Sequence, residues 1–96
     1  MVADLILQQK REEILQVAAK HGARDVRVFG SRARGEGRPD SDLDLLVTLD
    51  EDASLLDIVA IKQDLEDLLG CKVDVLTEDA ISPYIREQVL QQAIGL

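Results

Sequence analysis

Aromatic and basic residues are scarce in this chain of 96 residues, and both shortages limit what it can bind. Phe29 and Tyr84 are the only aromatic side chains, too few for the stacking platform with which proteins bind single-stranded nucleic acid. Eleven basic residues against nineteen acidic ones give a formal net charge of −8. Because nucleic-acid binding depends on lysine and arginine that neutralise phosphates, we expect no direct DNA binding.

Cysteine and long apolar segments are also missing. The single cysteine, Cys71, excludes an internal disulfide and a zinc site built from several cysteines. No apolar run approaches the roughly 18–20 residues that cross a bilayer, and the N-terminus lacks the basic-then-apolar order of a signal peptide. We therefore expect a cytoplasmic protein with no membrane partner, folded as a single domain over residues 1–96.

Hydrophobic periodicity predicts six elements in the order α-β-β-α-β-α. Apolar residues recur at helical spacing over residues 4–21 and 54–70, and again in a last predicted helix that begins at Ser82-Pro83. Alternating or strongly apolar runs predict three strands, over 24–29, 43–49 and 71–77. This order predicts an α/β (α+β) fold, in which helices flank a small mixed three-stranded sheet.

The predicted helices carry local start signals and apolar faces. Asp4 is a predicted N-cap, and Ser54 with Asp57 forms a predicted capping box. The second helix is expected to turn one stripe towards the core: Leu55, Ile58, Val59, Lys62, Leu65 and Leu69. The last helix is expected to bury another: Ile85, Val89, Leu90, Ala93 and Ile94.

Two carboxylates two residues apart mark the start of the second predicted strand. On a strand, Asp42 and Asp44 project from the same face, where they repel and raise each other's pKa unless a cation lies between them. No lysine nearby in sequence compensates, and Mg²⁺ binds to one or two carboxylates together with substrate phosphates. If the second and third strands are neighbours, Asp74 joins this pair, and such a site supports phosphoryl or nucleotidyl transfer. The alternative is three exposed strand acids.

The turn after the first strand contains a second signal. In Gly30-Ser31, glycine lets the backbone approach a phosphate closely, and the Ser31 hydroxyl is a further donor. Backbone N–H groups of a following helical turn would face the same anion. The Walker A pattern is absent. A Gly-Ser pair alone indicates little, but here a same-face carboxylate pair follows after ten residues.

Gly30-Ser31, ten intervening residues and Asp42-x-Asp44 together resemble the signature of the DNA polymerase β-like nucleotidyltransferase superfamily. The fuller string FGSRARGEGRPDSDLDLLV is similar to that of the minimal nucleotidyltransferases, or MNT proteins, as are the short length and the element order. The resemblance implies a polymerase β-like nucleotidyltransferase fold in which Gly30 and Ser31 hold ATP. It implies that Asp42 and Asp44 bind two Mg²⁺ ions. Asp74 would be the third carboxylate, which helps to bind metal and accepts the proton of the attacking hydroxyl.

The resemblance also implies a partner. Many MNT proteins are antitoxins paired with a small helical HEPN-domain RNase toxin, and some silence it by transferring AMP from ATP to one of its tyrosines. The expected function is therefore Mg²⁺-dependent transfer of AMP to a protein hydroxyl. Two alternatives stay open: an antitoxin that neutralises its partner by complex formation alone, and nucleotidyl transfer to a small molecule or an RNA end.

Several side chains around the motif have two open roles. Arg32 and Arg34 are candidate nucleotide-binding residues, because arginines can contact phosphates or neutralise charge as pyrophosphate leaves. Either one could instead pin the loop to nearby acids. Tyr84 is expected to pack in the first turn of the last helix, with automodification as the alternative, and Cys71 is expected to be a small buried residue.

Overall fold

The computed structural model describes residues 4–36, 38 and 41–96. The helices are α1 (Leu5–Gln9), α2 (Arg11–Lys20), α3 (Leu55–Leu69) and α4 (Arg86–Gln92), with a 3-10 turn at Glu78–Ala80. The strands are β1 (Ala23–Phe29), β2 (Leu43–Leu49), β3 (Val73–Leu76) and β4 (Ile94–Gly95). Within the described ranges, every helix is too short or too polar to cross a membrane.

The four strands form one mixed sheet in the order β3-β2-β1-β4. β1 pairs antiparallel with β2 and with β4, whereas β2 and β3 are parallel and are joined through α3, as parallel neighbours require. The predicted α+β fold is confirmed, but the expected strand count of three is wrong. The fourth strand has only two residues, Ile94 and Gly95, so no alternating pattern of apolar residues could predict it.

Local hydrogen bonds set the predicted helix starts. The Asp4 carboxylate accepts hydrogen bonds from the backbone N–H groups of Ile6 and Leu7, at 3.0 and 3.1 Å. Ser54 and Asp57 form the predicted capping box at the start of α3. The first predicted helix is divided, because Lys10, with φ −99° and ψ 7°, ends α1 and precedes α2.

Two predicted apolar faces are partly wrong. In α3, Ile61 and Leu65 are buried, but Leu55 is 80% exposed, because helical periodicity identifies a face and not where the neighbouring layer ends. The last helix begins at Arg86, after a turn, and buries none of its side chains. Tyr84 is 97% exposed, so the expected packing role for it is wrong.

One face of the sheet is the core. Alternate residues of β2 and β3 pack with α1, α2 and α3; the buried members include Leu43, Leu45, Val47, Val73, Val75, Leu7, Ile14, Ala18, Ile61 and Leu65. Because successive side chains of a strand point to opposite faces, Asp44 and Asp74 project from the other face. Asp44 and Asp74 therefore lie on the face of the sheet that points away from α2 and α3.

Candidate functional site

Asp44 and Asp74 occupy the same level on neighbouring strands. They are partners in the parallel register of β2 and β3, and Phe29 is the partner of Asp44 in the antiparallel register of β1 and β2. Neighbouring strands lie about 4.8 Å apart. The two carboxylates and the Phe29 ring thus form a row across one face, as the sequence predicted for Asp44 and Asp74 if their strands were adjacent.

Asp42 lies one residue before β2 and is exposed, whereas Asp44 is half-buried. Burial raises the pKa of Asp44, and the negative charges of Asp74 and Asp42 raise that pKa further. The three carboxylates therefore interact electrostatically. A bound cation would remove this cost, because it favours the ionised form of every carboxylate beside it.

Gly30 directly follows β1 and lies against the Asp44 carboxylate. Its φ of +78° lies in the left-handed region that glycine adopts without strain, and a Cβ at this position would overlap with Asp44 Oδ2. Any larger side chain would therefore displace the carboxylate. Gly30 and Asp44, the second aspartate of the motif, are therefore direct neighbours in space.

The residues after Gly30 form one hydrogen-bonded turn. The Arg34 N–H donates to the Gly30 carbonyl at 3.4 Å, and the Glu36 N–H donates to the Ser31 carbonyl at 3.1 Å. As at the start of a helix, the first N–H groups of such a turn have no partner inside it. Those amides and the half-buried Ser31 are suited to an anion such as a triphosphate.

The two candidate arginines have different surroundings. Arg32 is 1% exposed, and its Nε donates to the Asp4 carboxylate at 2.7 Å. Its Nη1 lies 3.3 Å from both the Ser41 carbonyl and Cys71 Sγ. This placement supports the loop-pinning role for Arg32. Among the described residues its buried Nη2 has no hydrogen-bond partner, so nucleotide contact by Arg32 stays a prediction. Arg34 is exposed and donates to Glu36 at 3.1 Å, so it remains a candidate for phosphate contact.

Lys62 and Glu66 of α3 also belong to the surroundings of the site, and our sequence reasoning missed them. Lys62 Nζ donates to Glu66 Oε2 at 2.7 Å and to the Val73 carbonyl at 2.8 Å. The hydrogen bond to Glu66 raises the pKa of Lys62, and the charges of Glu66, Asp74 and Asp42 add to this. The available signal was a lysine on a predicted apolar stripe, with glutamate four residues later.

The donor set fits Mg²⁺ shared with a substrate, not a ready-made cage. Across 4–36, 38 and 41–96, no three Asp, Glu, His or Cys side chains lie close enough to hold a metal ion by themselves. Mg²⁺ usually binds to one or two carboxylates and completes its shell with water and substrate phosphates. The oxygens of Asp44, next to Gly30, and of Asp42, whose charge acts on Asp44, meet that requirement.

Comparisons with known proteins give the family. The nucleotidyltransferase domain family matches residues 10–96. A protein of Methanocaldococcus jannaschii, whose name places it among the protein adenylyltransferases, is 40% identical over 90 residues, which cover 94% of this chain and 97% of the relative. Protein adenylyltransferase MntA of Thermococcus cleftensis is 36% identical over 89 residues, which cover 93% of this chain and 87% of the relative.

Solved structures agree with this grouping. A minimal nucleotidyltransferase superposes with a TM-score of 0.83 at 54% identity, and the match covers 94% of this chain and 92% of that one. A toxin–antitoxin structure with AMP-PNP superposes with a TM-score of 0.73 at 21% identity, covering 88% of this chain and 69% of that one, which shows a shared fold. The chain therefore belongs to the nucleotidyltransferase family, as a minimal nucleotidyltransferase of the DNA polymerase β-like superfamily.

Proposed function

We propose that this chain transfers AMP from ATP, with Mg²⁺, to a hydroxyl group of a partner protein. The observation that carries the proposal is the position of Asp44. It touches the Gly30 turn on one side and is the register partner of Asp74 on the other. Gly30, Asp44 and Asp74 thus lie side by side, which supports their proposed roles in binding phosphate, binding metal and accepting a proton.

Each group has a part in the proposed reaction. The turn at Gly30 and Ser31 holds the triphosphate, while Asp42 and Asp44 hold the metal. Bound Mg²⁺ would neutralise the phosphates and stabilise the charge that develops on the departing pyrophosphate. The acceptor oxygen bonds to the α-phosphorus as the α–β bridging P–O bond breaks. Asp74 takes the proton from the acceptor hydroxyl, and pyrophosphate leaves with the bonding electrons.

The acceptor is proposed from the relatives. The Thermococcus relative is named a protein adenylyltransferase, and structures that share this fold are of toxin–antitoxin complexes. We propose that this chain is an antitoxin, and that the acceptor is a tyrosine of a cognate HEPN-type RNase toxin, as the resemblance to MNT proteins implies. For this chain we propose ATP as the nucleotide substrate and two Mg²⁺ ions as the metal cofactor.

Label transfer tests the enzymatic part directly. The purified chain is incubated with Mg²⁺, ATP labelled in the α-phosphate, and lysate of the native host. We expect one labelled protein band, whose modified hydroxyl is then identified by mass spectrometry. Label in RNA or in small molecules, with none in protein, would contradict the proposed acceptor class.

Matched variants separate the site from general effects. Asp44→Asn keeps the side-chain shape and removes the charge, so transfer should fall about 100-fold or more. Asp52→Asn makes the same change at an exposed residue beyond the opposite end of β2 and should leave transfer unchanged. Equal activity of both variants would contradict the assignment of the metal site.

One observation supports a stable complex with a partner protein, which the second candidate function, an antitoxin that acts by complex formation alone, requires. Leu55 and Leu56 are each 80% exposed at the start of α3, and Val59 is 49% exposed one turn later. Such an apolar patch is suited to a protein partner. If binding alone neutralises the toxin, Asp44→Asn still protects cells. If transfer is required, this variant binds the toxin and fails to protect.

A further inference from the structure

The strand that carries Asp74 lies at the edge of the sheet. β3 pairs with β2 on one side and has no neighbouring strand on the other among the described residues. The Leu43 N–H donates to the Lys72 carbonyl at 2.9 Å, so the backbone groups of Lys72 point towards β2. Because backbone groups alternate in direction along a strand, the N–H and C=O of Val73 face outward. Unpaired backbone groups at a strand edge need partners.

Two side chains of α3 provide these partners. Glu66 Oε2 accepts a hydrogen bond from the Val73 N–H at 3.0 Å, and Lys62 Nζ donates to the Val73 carbonyl at 2.8 Å. Lys62 and Glu66 also bond to each other at 2.7 Å, from adjacent turns of the helix. The two side chains and the Val73 peptide groups therefore form a closed ring, which we call the edge clamp.

The edge clamp differs from an ordinary pair of charges on a helix. Exposed pairs at this spacing contribute only about 0.3–0.5 kcal/mol to stability. Here both members also bind to backbone groups of one residue in another element. That residue directly precedes Asp74, whose charge also acts on Lys62. The contacts thus restrain the backbone next to the third carboxylate of the site.

We infer that Lys62 and Glu66 are positioning residues for Asp74, because they bind both outward backbone groups of Val73 and hold β3 in register against β2. Neither side chain has to touch the substrate. The expected effect of Lys62 and Glu66 on the reaction rests on the proposed function. Their expected effect on β3 depends only on the hydrogen bonds to Val73.

Kinetics test the effect on the reaction. Lys62→Ala and Glu66→Ala should each lower kcat for AMP transfer by about 10–100-fold, since a misplacement of about 1 Å has effects of that size. The KM for ATP should change by less than about threefold, because the Gly30 turn is untouched. Lys62→Arg can still donate to Val73 and Glu66 and should restore most of the rate. Lys10→Ala is the matched control. It removes a lysine that pairs with Glu13 of α2, far from the edge clamp in sequence, and should leave kcat unchanged.

A double variant separates positioning from general destabilisation. With Asp74→Asn already present, adding Lys62→Ala should lower the residual rate by less than about twofold, because the group that Lys62 positions no longer acts. A loss of the same factor in both backgrounds would overturn the inference. So would an unchanged kcat in both Lys62→Ala and Glu66→Ala.

Amide hydrogen exchange tests the clamp without any substrate. In Glu66→Ala and Lys62→Ala, the amides of Val73 and Asp74 should exchange at least about tenfold faster than in the unaltered protein, while those of β1 keep their rates. Unchanged exchange at both amides would overturn the clamp whatever the kinetics show. If the unaltered protein transfers no label, the proposed function fails, and faster exchange would still support the clamp.

Discussion

Arg32 and Asp4 form a buried ion pair that joins the turn after β1 to the first helix. Arg32 Nε donates to Asp4 Oδ2 at 2.7 Å, while Asp4 Oδ1 caps α1. The same guanidinium binds to Ser41, just before Asp42, and to Cys71, two residues before β3. One side chain thus connects the segments that lead into all three parts of the site.

Removing this pair should destabilise the protein strongly. Arg32→Met leaves the Asp4 charge with little solvent and no cation, and breaking a buried pair in this way costs about 3–5 kcal/mol. Urea denaturation measures the loss. Arg34→Met is a matched control, because Arg34 pairs with Glu36 at the surface and should contribute less than about 1 kcal/mol. Similar losses in both variants would contradict the structural role of Arg32.

The Asp4 carboxylate should make stability depend on pH in the acid range. Burial raises the pKa of Asp4, but hydrogen bonds from Arg32, Leu7 and Ile6 and the Arg32 charge outweigh this and lower the pKa below its ordinary value. Folding therefore favours the ionised form, so this stabilisation is present above the unfolded pKa of about 3.9 and is lost as pH falls through the folded value.

Comparison with Asp4→Asn tests that pH dependence. The difference in unfolding free energy between the unaltered protein and this variant should be largest near neutral pH and should shrink below about pH 4. Urea titrations at pH 7, 5 and 3 measure it. A difference that stays constant across these values would contradict the assigned role of the Asp4 charge.

The repulsion among Asp42, Asp44 and Asp74 should weaken the protein when no cation is bound. The raised pKa of Asp44 means that its charge opposes folding in the absence of a cation. Asp44→Asn should therefore raise the metal-free Tm by a few degrees, and it should abolish the rise in Tm that Mg²⁺ with a non-hydrolysable ATP analogue produces in the unaltered protein. Thermal unfolding with and without these ligands measures both effects. A lower metal-free Tm in the variant would contradict the repulsion.

Gly30 should be required for activity beyond its backbone conformation. Gly30→Ala places a Cβ against Asp44 and also forces a positive φ, whereas Gly70→Ala has a similar φ of +68° with nothing within 4 Å of the new Cβ. Both variants should lose about 1–2 kcal/mol of stability from the left-handed conformation. Only Gly30→Ala should lose label transfer, and equal transfer by the two would contradict the close approach to Asp44.

Features that depend on a few neighbouring residues were predicted from the sequence. Asp4 and Ser54 cap helices whose first N–H groups are two or three residues away, so local chemistry identified both starts. The same holds for the turn at Gly30-Ser31 and for the alternation that points Asp44 away from the buried Leu43 and Leu45 of β2. A last helix was predicted, but its start and its buried face were wrong, and strand β4 was missed, because α4 has no buried face and β4 has only two residues for periodicity to detect.

The sequence by itself determined the spacing of the Gly30-Ser31 turn and the first two carboxylates, because these lie within fifteen residues of one another. Only the tertiary structure decided which distant residues join them. The register of β2 and β3 places Asp74 beside Asp44. The fold buries Arg32 against Asp4. The packing of α3 along β3 brings Lys62 and Glu66 to Val73. Such pairings arise from how layers pack and strands align, which no local pattern of side chains encodes.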